Sequence, residues 1–266
     1  MKVLICYNQE KQKSEYCLDV LTKVLDKHGV CYSVIEKNNA EPVDDFSALF
    51  VVGGDGTILR RTKYVNQNSI PIIGINAGKL GFLTEFEINE IEDSVNMFLS
   101  NQLKPDNRAT ILCEYKGKKY YALNDVVIQR VYRESRSMII NLDVFIDNNY
   151  VENIVGDGIV LSSPTGSTAY SLSLGGSVFS PDVQAFIYTP IAPHSFNTRP
   201  IVYSPNKSSK IVYNGGNGAG LFVDGQLVSL LENDDEVLIN KCEKDTVFLR
   251  KNDFNFFKRL SEKLKS

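Results

Sequence analysis

The stretch "LFVVGGDGTILR", residues 49–60, decides the fold of the first part of the chain. Its unbroken apolar run is typical of a strand that is buried on both faces of a parallel sheet. The run leads directly into the turn GGDGT, residues 53–57, and a helical pattern follows. Glycines between a strand and a helix let backbone N–H groups approach phosphate oxygens closely. The stretch therefore predicts a phosphate-binding turn, although an aspartate lies inside it.

Asp55 is the unexpected residue of this turn, because a carboxylate repels phosphate unless it binds a metal or accepts a proton. Phosphoryl transfer to a hydroxyl group uses a positioned base of this kind. The turn is neither GxGxxG nor a Walker loop, since no Lys-Ser/Thr pair follows it. The alternative is an ordinary tight turn in which aspartate is a favoured turn residue. We favour the interpretation in which Asp55 takes part in chemistry.

Length and composition bound the remaining possibilities. The chain has 266 residues, which is long for one compact core and predicts two smaller domains. The net charge of -3 gives no overall positive field, so we expect neither nucleic acid nor a membrane as a partner. Five scattered cysteines without a CxxC spacing indicate reduced thiols and hence a cytoplasmic protein. Only two histidines are present, which argues against a zinc site.

The region around the opening stretch alternates strand and helix signals. Strands are predicted at 2–7, 30–35, 48–52 and 70–76, and helices at 14–28, after the glycine turn ("TILRRTKYV") and at 88–99. Strand, helix, strand order at this spacing predicts a Rossmann-like α/β N-terminal domain with a mostly parallel sheet. We place this domain at residues 1–105.

The pattern of secondary-structure signals changes after the α/β region. Short strands separated by turns at Lys116-Gly117, Asn148-Asn149 and Asp224-Gly225 predict a β-rich, sandwich-like C-terminal domain over residues 106–250. One helical interruption is expected in "TGSTAYSLSLGG", and residues 251–266 are predicted to form a helix that packs back on the body.

The β-rich region holds the second candidate site, "GDGIVLSSPTGSTAYSLSLGG", residues 156–176. Hydroxyls and free N–H groups at this density suit a polar ligand such as a nucleotide, and the alternative is a solvated Ser/Thr loop. The pair Asn124-Asp125 is by itself weak evidence for a site, because Asn-Asp is a common pair in turns. His194 is more consistent with a structural role, since no GxSxG elbow accompanies it.

In combination, these pieces resemble one family, the NAD kinases. The resemblance rests on GGDGT, "GINAGKLGFLTEF" (74–86), "LNDVV" (123–127), the stretch 156–176, "PIAPHSFNTRP" and "VDGQ", in this order. It covers nearly the whole chain, and GGDGT alone is not specific, because lipid kinases and phosphofructokinases carry similar loops. The resemblance implies an α/β domain and a β-rich domain with NAD bound between them, in a homodimer or homotetramer. The implied activity is transfer of the terminal phosphoryl group of ATP, or of polyphosphate, to the adenosine ribose 2′-hydroxyl of NAD, which produces NADP.

The resemblance also implies roles for individual residues. Asp55 matches the proton acceptor, which explains an acid in a phosphate turn. The implied phosphate-donor residues are Gly53, Gly54, Gly56 and Thr57. The implied NAD-binding residues are Asp55, Gly56, Arg60, Asn76, Phe82, Asn124, Asp125, Asp157, Thr165, Thr168, Ala169, Tyr170, Ser173, Ala192 and Gln226. Mg²⁺ or Mn²⁺ is expected as the cofactor, held largely by donor phosphates and one or two carboxylates.

Two positions depart from the family pattern. Many relatives have Asn-Glu where this chain has Asn124-Asp125, so the acid has a shorter reach. Several relatives have an arginine just before the acid of the GDG element, where this chain has Ile154 and Val155. A contact made by that arginine must be absent or supplied from elsewhere. Two alternatives stay open at this point: a lipid or sugar kinase that shares GGDGT, and a protein that binds NAD without turnover.

Overall fold

A computed structural model describes residues 1–35, 45–78, 81–131, 139–216 and 218–265. The chain divides into two compact units. The first comprises Met1–Asn107 and Thr246–Ser266, and the second comprises Arg108–Asp245. Element labels below follow chain order through both units.

The first unit is built on a mostly parallel sheet with helices. Its strands are β1 (Lys2–Tyr7), β2 (Cys31–Ile35), β3 (Ala48–Gly53), β4 (Ile72–Asn76), β5 (Phe86–Glu87), β6 (Lys104–Arg108) and β19 (Thr246–Arg250). Its helices are α1 (Gln12–Lys27), α2 (Asp55–Leu59), α3 (Thr62–Asn68), α4 (Ile91–Leu99) after a 3₁₀ turn at Ile88–Glu90, and α6 (Phe256–Leu264). The strand order is β2-β1-β3-β4-β19-β6, with β5 beside β4. Strands β1, β2, β3, β4 and β19 pair in parallel, as the α/β prediction requires.

Parallel pairing determines where the glycine turn lies. The carboxyl ends of parallel strands meet at one edge of a sheet, which is where open α/β sheets bind ligands. Strand β3 is buried along its whole length, and its last residue, Gly53, pairs with Asn76 at the end of β4. Apolar residues of α1 such as Leu21 and Leu25 pack with the strands in one core. The turn therefore projects from a rigid sheet edge.

The second unit contains two six-stranded sheets. Its strands are β7 (Ile111–Tyr115), β8 (Lys118–Ala122), β9 (Asp125–Arg130), β10 (Ile140–Ile146), β11 (Asn149–Gly156), β12 (Gly158–Ser162), β13 (Phe186–Ile191), β14 (Ile201–Tyr203), β15 (Ser209–Tyr213), β16 (Ala219–Val223), β17 (Gln226–Leu231) and β18 (Asp235–Lys241). A 3₁₀ turn at Gly166–Thr168 and the short helix α5 (Tyr170–Ser173) interrupt the strands.

The two sheets of the second unit enclose a shared core. One sheet has the order β11-β10-β15-β18-β7-β8, and the other has β14-β13-β12-β9-β16-β17. Fully buried Leu142 and Ile239 of the first sheet belong to the same apolar cluster as Ile128 and Tyr188 of the second. The β-rich, sandwich-like prediction for this region is confirmed.

Several local predictions need correction. The helix predicted after the glycine turn is split into α2 and α3. The hydroxyl of Thr62 donates to the carbonyl of Leu59 at 2.9 Å, which gives this backbone an alternative to a continuous helix. The turn predicted at Asn148-Asn149 lies one residue earlier, because Asp147 and Asn148 have φ values of 54° and 62° while Asn149 pairs with Ile146.

The last strand also differs from expectation. The sequence predicts residues 246–250 in the β-rich domain, but they form β19 in the sheet of the first unit, where Phe248 pairs with Ile72. Alternating burial along this segment identifies a strand without identifying its partner, because the pattern carries no long-range information. Helix α6 follows in the same unit, and no helix of the described residues is long and apolar enough to cross a membrane.

Candidate active site

Asp55 is the first residue of α2, directly beyond the end of β3. Its two carboxylate oxygens accept hydrogen bonds from two consecutive backbone N–H groups of a loop that follows β4. The N–H of Phe82 donates to Oδ2 at 2.8 Å, and the N–H of Leu83 donates to Oδ1 at 3.0 Å. Hydrogen bonds to an ionised acceptor are among the stronger ones in proteins. The carboxylate is therefore held in one orientation within the glycine turn.

Two close approaches explain glycines in and around this turn. A Cβ atom at Gly81 would lie 2.7 Å from Cγ of Asp55, inside the carboxylate. A Cβ atom at Gly53 would lie 2.9 Å from Cβ of Thr57. Only a residue without a side chain lets the loop and the turn pack this tightly. Gly81 belongs to the quoted motif, yet sequence reasoning assigned it no role.

The two predicted site residues around this loop have different environments. Asn76 ends β4, and Phe82 lies in the loop that follows it. Asn76 is 3% exposed, its side-chain oxygen accepts from the N–H of Gly78 at 3.0 Å, and its amide donates to Glu87 at 3.1 Å. These bonds shape the loop from within. Phe82 is half-buried, and its ring lies 6.2 Å from that of Phe256 in α6.

Three of the predicted phosphate-donor residues, Gly54, Gly56 and Thr57, border open space within the first unit. A cavity of about 230 Å³ is lined by Thr57, Arg60, Arg61 and residues that follow β1, including Asn8. Nothing lies within 4 Å of the position that a Cβ atom would take at Gly54 or at Gly56. Two guanidinium groups beside an open glycine turn suit a phosphate-rich ligand. Arg61 was missed by sequence reasoning, although it adjoins Arg60 in the "RR" pair.

In the second unit, Asn124 and Asp125 are positioned by Asp224. The Asp224 carboxylate accepts the backbone N–H groups of Leu123, Asn124 and Asp125 at 2.9, 2.8 and 3.2 Å. Asp224 has φ 46° and Gly225 has φ 77°, as expected for the hairpin turn between β16 and β17. The sequence predicts that turn but not the role of its acid, for which the "VDGQ" motif was the available signal.

Asp125 carries an unusual ionisation. Its side chain is 5% exposed, and burial, with a smaller contribution from the nearby Asp224 charge, raises the pKa of the Asp125 carboxyl to about 7. Near neutral pH this group is present in both protonation states. It can therefore either donate to or accept from a hydroxyl group of a ligand.

Asp157 lies between β11 and β12 and has a cationic partner on another strand. Arg130 at the end of β9 forms an ion pair with Asp157, at 3.0 Å between Nη2 and Oδ2. Arginine is absent just before Asp157 in sequence, but a neighbouring strand supplies one. The Tyr170 hydroxyl donates to Gln129 at 3.5 Å, and the pKa of Tyr170 is raised by burial and by the charges of Asp157 and Asp125. These acids and the phenol thus share one region of the second unit.

The Ser/Thr-rich segment packs tightly on Asn124. A Cβ atom at Gly166 would lie 2.7 Å from the Asn124 Cα, so only glycine fits there. The hydroxyls of Thr168 and Ser173 donate to backbone carbonyls three residues earlier, at 3.1 and 2.7 Å. The buried Thr165 hydroxyl accepts from Arg108 at 3.4 Å. The segment is therefore ordered by local bonds and is not a solvated loop.

The remaining predicted residues lie on the rim of this region. Ala192 is exposed with φ 42°, directly after Ile191, whose carbonyl accepts the N–H of Asp157 at 2.9 Å. Gln226 is exposed and begins β17, two residues beyond Asp224. Ala169 joins the 3₁₀ turn to α5.

An acid oriented within a glycine turn, and a sandwich that brings acids, an amide and hydroxyls into one region, fit the class of phosphotransferases that act on a hydroxyl group. Comparison with known proteins narrows this class. The family model for the ATP-NAD kinase N-terminal domain matches residues 4–103, and that for the ATP-NAD kinase C-terminal domain matches residues 123–251. The chain belongs to the NAD kinase family.

Individual relatives agree with this assignment. An NAD kinase from Fusobacterium nucleatum is 32% identical over 100% of this chain and 97% of its own length. An NAD kinase from Moorella thermoacetica is 37% identical over 85% of this chain and 73% of its own. The solved structure of an NAD kinase from Archaeoglobus fulgidus in complex with ATP has a TM-score of 0.82 and 26% identity, covering 100% of this chain and 99% of that one. Yeast NADH kinase complexed with NADH has the same fold, with a TM-score of 0.90 at 24% identity, covering 100% of this chain and 87% of that chain.

Proposed function

We propose that Asp55 accepts the proton of the adenosine ribose 2′-hydroxyl of NAD while that oxygen attacks the terminal phosphorus of ATP. The chain is an NAD kinase that phosphorylates NAD to NADP with ATP. The family assignment decides against a lipid or sugar kinase and against a protein that binds NAD without turnover. The observation that carries the role of Asp55 is its carboxylate, oriented by two N–H groups beside the glycine turn.

The reaction balances with one proton transfer. A bond forms between the 2′-oxygen and the terminal phosphorus, the bond from that phosphorus to the bridging oxygen breaks, and ADP leaves with the electron pair. The 2′-hydroxyl proton moves to Asp55. Each carboxylate oxygen accepts one of the two loop hydrogen bonds and keeps a further lone pair for the hydroxyl. In a loose transition state of this kind, positioning contributes more than basicity.

The donor phosphates are assigned to the glycine turn of the first unit. Gly53, Gly54, Gly56 and Thr57 would contact them, with Arg60 available to meet their charge from the wall of the adjacent cavity. In the described part of the chain, no group of three or more His, Cys, Asp or Glu side chains could hold a metal ion. We assign Mg²⁺ or Mn²⁺ to the donor phosphates and one or two carboxylates, where it would neutralise the phosphate charge.

NAD contacts are assigned in each unit separately. The first unit contributes Asp55, Gly56, Arg60, Asn76 and Phe82. The second contributes Asn124, Asp125, Asp157, Thr165, Thr168, Ala169, Tyr170, Ser173, Ala192 and Gln226. Support in the second unit comes from the shared region of Asn124, Asp125, Asp157 and Tyr170. Paired carboxyl and amide groups are well suited to ribose hydroxyls.

The test compares the wild type with Asp55→Asn, which has the same shape and a neutral side chain. Purified proteins are mixed with NAD, ATP and Mg²⁺, NADP is quantified by chromatography, and NAD affinity is measured by calorimetry. We expect the variant to lose most of its rate, by about 10²-fold or more, while it still binds NAD. Asp26→Asn, on the exposed face of α1, is the matched control and should leave the rate unchanged.

Lost NAD affinity with turnover intact would contradict the proposed role of Asp55. Repeating the assay with polyphosphate in place of ATP determines whether this second donor is accepted. Omission of Mg²⁺, followed by its replacement with Mn²⁺, tests the metal requirement.

We further propose a cytoplasmic homo-oligomer. None of the five cysteines forms a disulfide, and four of them are buried, as suits a reducing compartment. The edge strands β14 and β17 expose apolar side chains, namely Val202, Leu227 and Leu230. Light scattering at several protein concentrations measures the oligomeric state, and a monomer throughout would contradict this proposal.

A further inference from the structure

Two arginines of the C-terminal segment reach the loop that holds Asp55. Arg250 ends β19, and Arg259 lies in α6. Arg259 Nη1 donates to the carbonyl of Gly81 at 2.9 Å, and Arg250 Nη2 donates to the carbonyl of Phe82 at 3.3 Å. Neither arginine is part of the site assigned above.

The carbonyls that receive these bonds belong to the peptide groups that hold the carboxylate. The Gly81–Phe82 peptide accepts from Arg259 through its oxygen and donates to Asp55 Oδ2 through its N–H at 2.8 Å. The Phe82–Leu83 peptide accepts from Arg250 and donates to Asp55 Oδ1 at 3.0 Å. Two separate chains of hydrogen bonds therefore form, each from one guanidinium through one peptide group to one oxygen of the Asp55 carboxylate.

A hydrogen bond at the oxygen of a peptide group strengthens the N–H of that group as a donor, because bonds in a chain polarise one another. A cationic donor, such as a guanidinium, at the first bond of such a hydrogen-bond chain increases this polarisation. The same bond fixes the plane of the peptide and hence the direction in which its N–H points. Removing one guanidinium should therefore loosen and misdirect the bond to one oxygen of Asp55 without touching Asp55 itself.

Several contacts hold the Arg250 guanidinium in place, so that it can fix the orientation of the Phe82–Leu83 peptide group. It is 2% exposed, Nε lies 3.1 Å from the Asp106 carboxylate, and Nη1 lies 3.3 Å from Glu85. Its guanidinium also lies over the rings of Phe248 and Phe254, at 4.8 and 4.5 Å from their centroids. Arg259 has a second bond to the loop, from Nη1 to the Thr84 carbonyl at 3.1 Å.

We propose that Arg250 and Arg259 are positioning residues for phosphoryl transfer, acting on the Asp55 carboxylate through the Gly81–Phe82 and Phe82–Leu83 peptide groups. This inference rests on the proposed role of Asp55 as proton acceptor. Helix α6 then supports catalysis through the loop, although none of the substrate contacts assigned above lies in it.

The test uses Arg259, because Arg250 is buried with two ion pairs and its loss could unfold the unit. Arg259→Met removes charge and donors at similar length, and Arg259→Lys restores a charged donor. Lys258→Met, which removes an exposed cation from the adjacent position of α6, is the matched control. For each protein, kcat and KM for NAD and ATP are measured with the melting temperature.

We expect Arg259→Met to lower kcat by about tenfold or more, with KM values within about threefold of wild type, because the bond that is weakened orients the reacting carboxylate. Arg259→Lys should recover most of the rate, and Lys258→Met should match the wild type. A merely structural arginine would instead lower the melting temperature and leave kcat of the folded enzyme unchanged, which would overturn the proposal.

A double-mutant cycle separates this inference from the role of Asp55. With Asp55→Asn, introducing Arg259→Met should change the residual rate by less than about threefold, since effects through a shared partner are not additive. An equal loss in both backgrounds would overturn the proposal. If the Asp55→Asn rate is below detection, the comparison of Met and Lys at position 259 decides. If Asp55→Asn alone retains full rate, the role of Asp55 fails whatever Arg259 does.

Discussion

Replacing Gly81 with alanine tests how closely the loop must approach Asp55. The added Cβ atom would lie 2.7 Å from Cγ of Asp55, whereas two carbon atoms in contact prefer about 3.5–4.0 Å. The carboxylate or the loop must therefore move by about 1 Å. The backbone at Gly81 lies outside the left-handed region, so the contact itself, and not conformational strain, determines the outcome.

The magnitude follows from what this displacement breaks. A misplacement of about 1 Å in a reacting group costs roughly 10²-fold in rate, which corresponds to about 2.7 kcal/mol in the activation barrier. Both N–H bonds to the Asp55 carboxylate come from the residues directly after Gly81, so both are disturbed together. We expect kcat to fall by about 10²-fold, with little change in the affinity for NAD.

The assay is initial-rate NADP formation, with the melting temperature as a check on folding. Gly78→Ala is the matched control, because its Cβ atom would meet nothing closer than Lys11 Nζ at 3.5 Å. The reasoning is refuted if Gly81→Ala keeps kcat within about threefold of Gly78→Ala, since the overlap with Asp55 would then be relieved without moving the carboxylate.

Two further predictions concern the acids of the second unit. The pKa of Asp125 is about 7 in the folded protein against an ordinary value of 3.8, so its stabilising contribution is full below about pH 4 and is lost as pH rises through 7. At 1.36 kcal/mol per pKa unit, the loss of stability amounts to about 4 kcal/mol. In denaturant titrations, Asp125→Asn should therefore be more stable than the wild type at pH 8 but not at pH 4. The same stability difference between variant and wild type at both pH values would contradict this. Asp224→Ala should lower the free energy of unfolding by about 3 kcal/mol or more, because it removes the acceptor of three backbone N–H groups, and Asp224→Asn should cost less because one oxygen remains. Calorimetry on the two variants shows whether Asp224→Ala is the less stable one, and identical stabilities would contradict this prediction.

Much of the fold was predictable because the relevant signals are local. Unbroken apolar runs identified β1, β3 and β4, and Asp-Gly and Lys-Gly pairs identified hairpin turns. The helix after the turn is split where the Thr62 hydroxyl donates to the Leu59 carbonyl, and competition of this kind between side chain and backbone is only weakly visible in the residue pattern. The sheet to which residues 246–250 belong was not predictable, since burial alternation is the same for any partner strand.

The amino-acid sequence by itself determined the glycine turn, its aspartate and the resemblance to NAD kinases, because residue types and their spacing carry that information directly. Only the tertiary structure decided what holds the candidate site residues. Gly81 packs against Asp55, Asp224 accepts the N–H groups of Asn124 and Asp125, Arg130 pairs with Asp157, and two C-terminal arginines bond to the loop. The hydrogen bonds from the loop to Asp55, and from the two C-terminal arginines to the loop, join residues from 27 to 178 positions apart along the chain, where no periodic pattern connects them. Packing brings them together, since each buried carboxylate or carbonyl must find its donor wherever the fold supplies one.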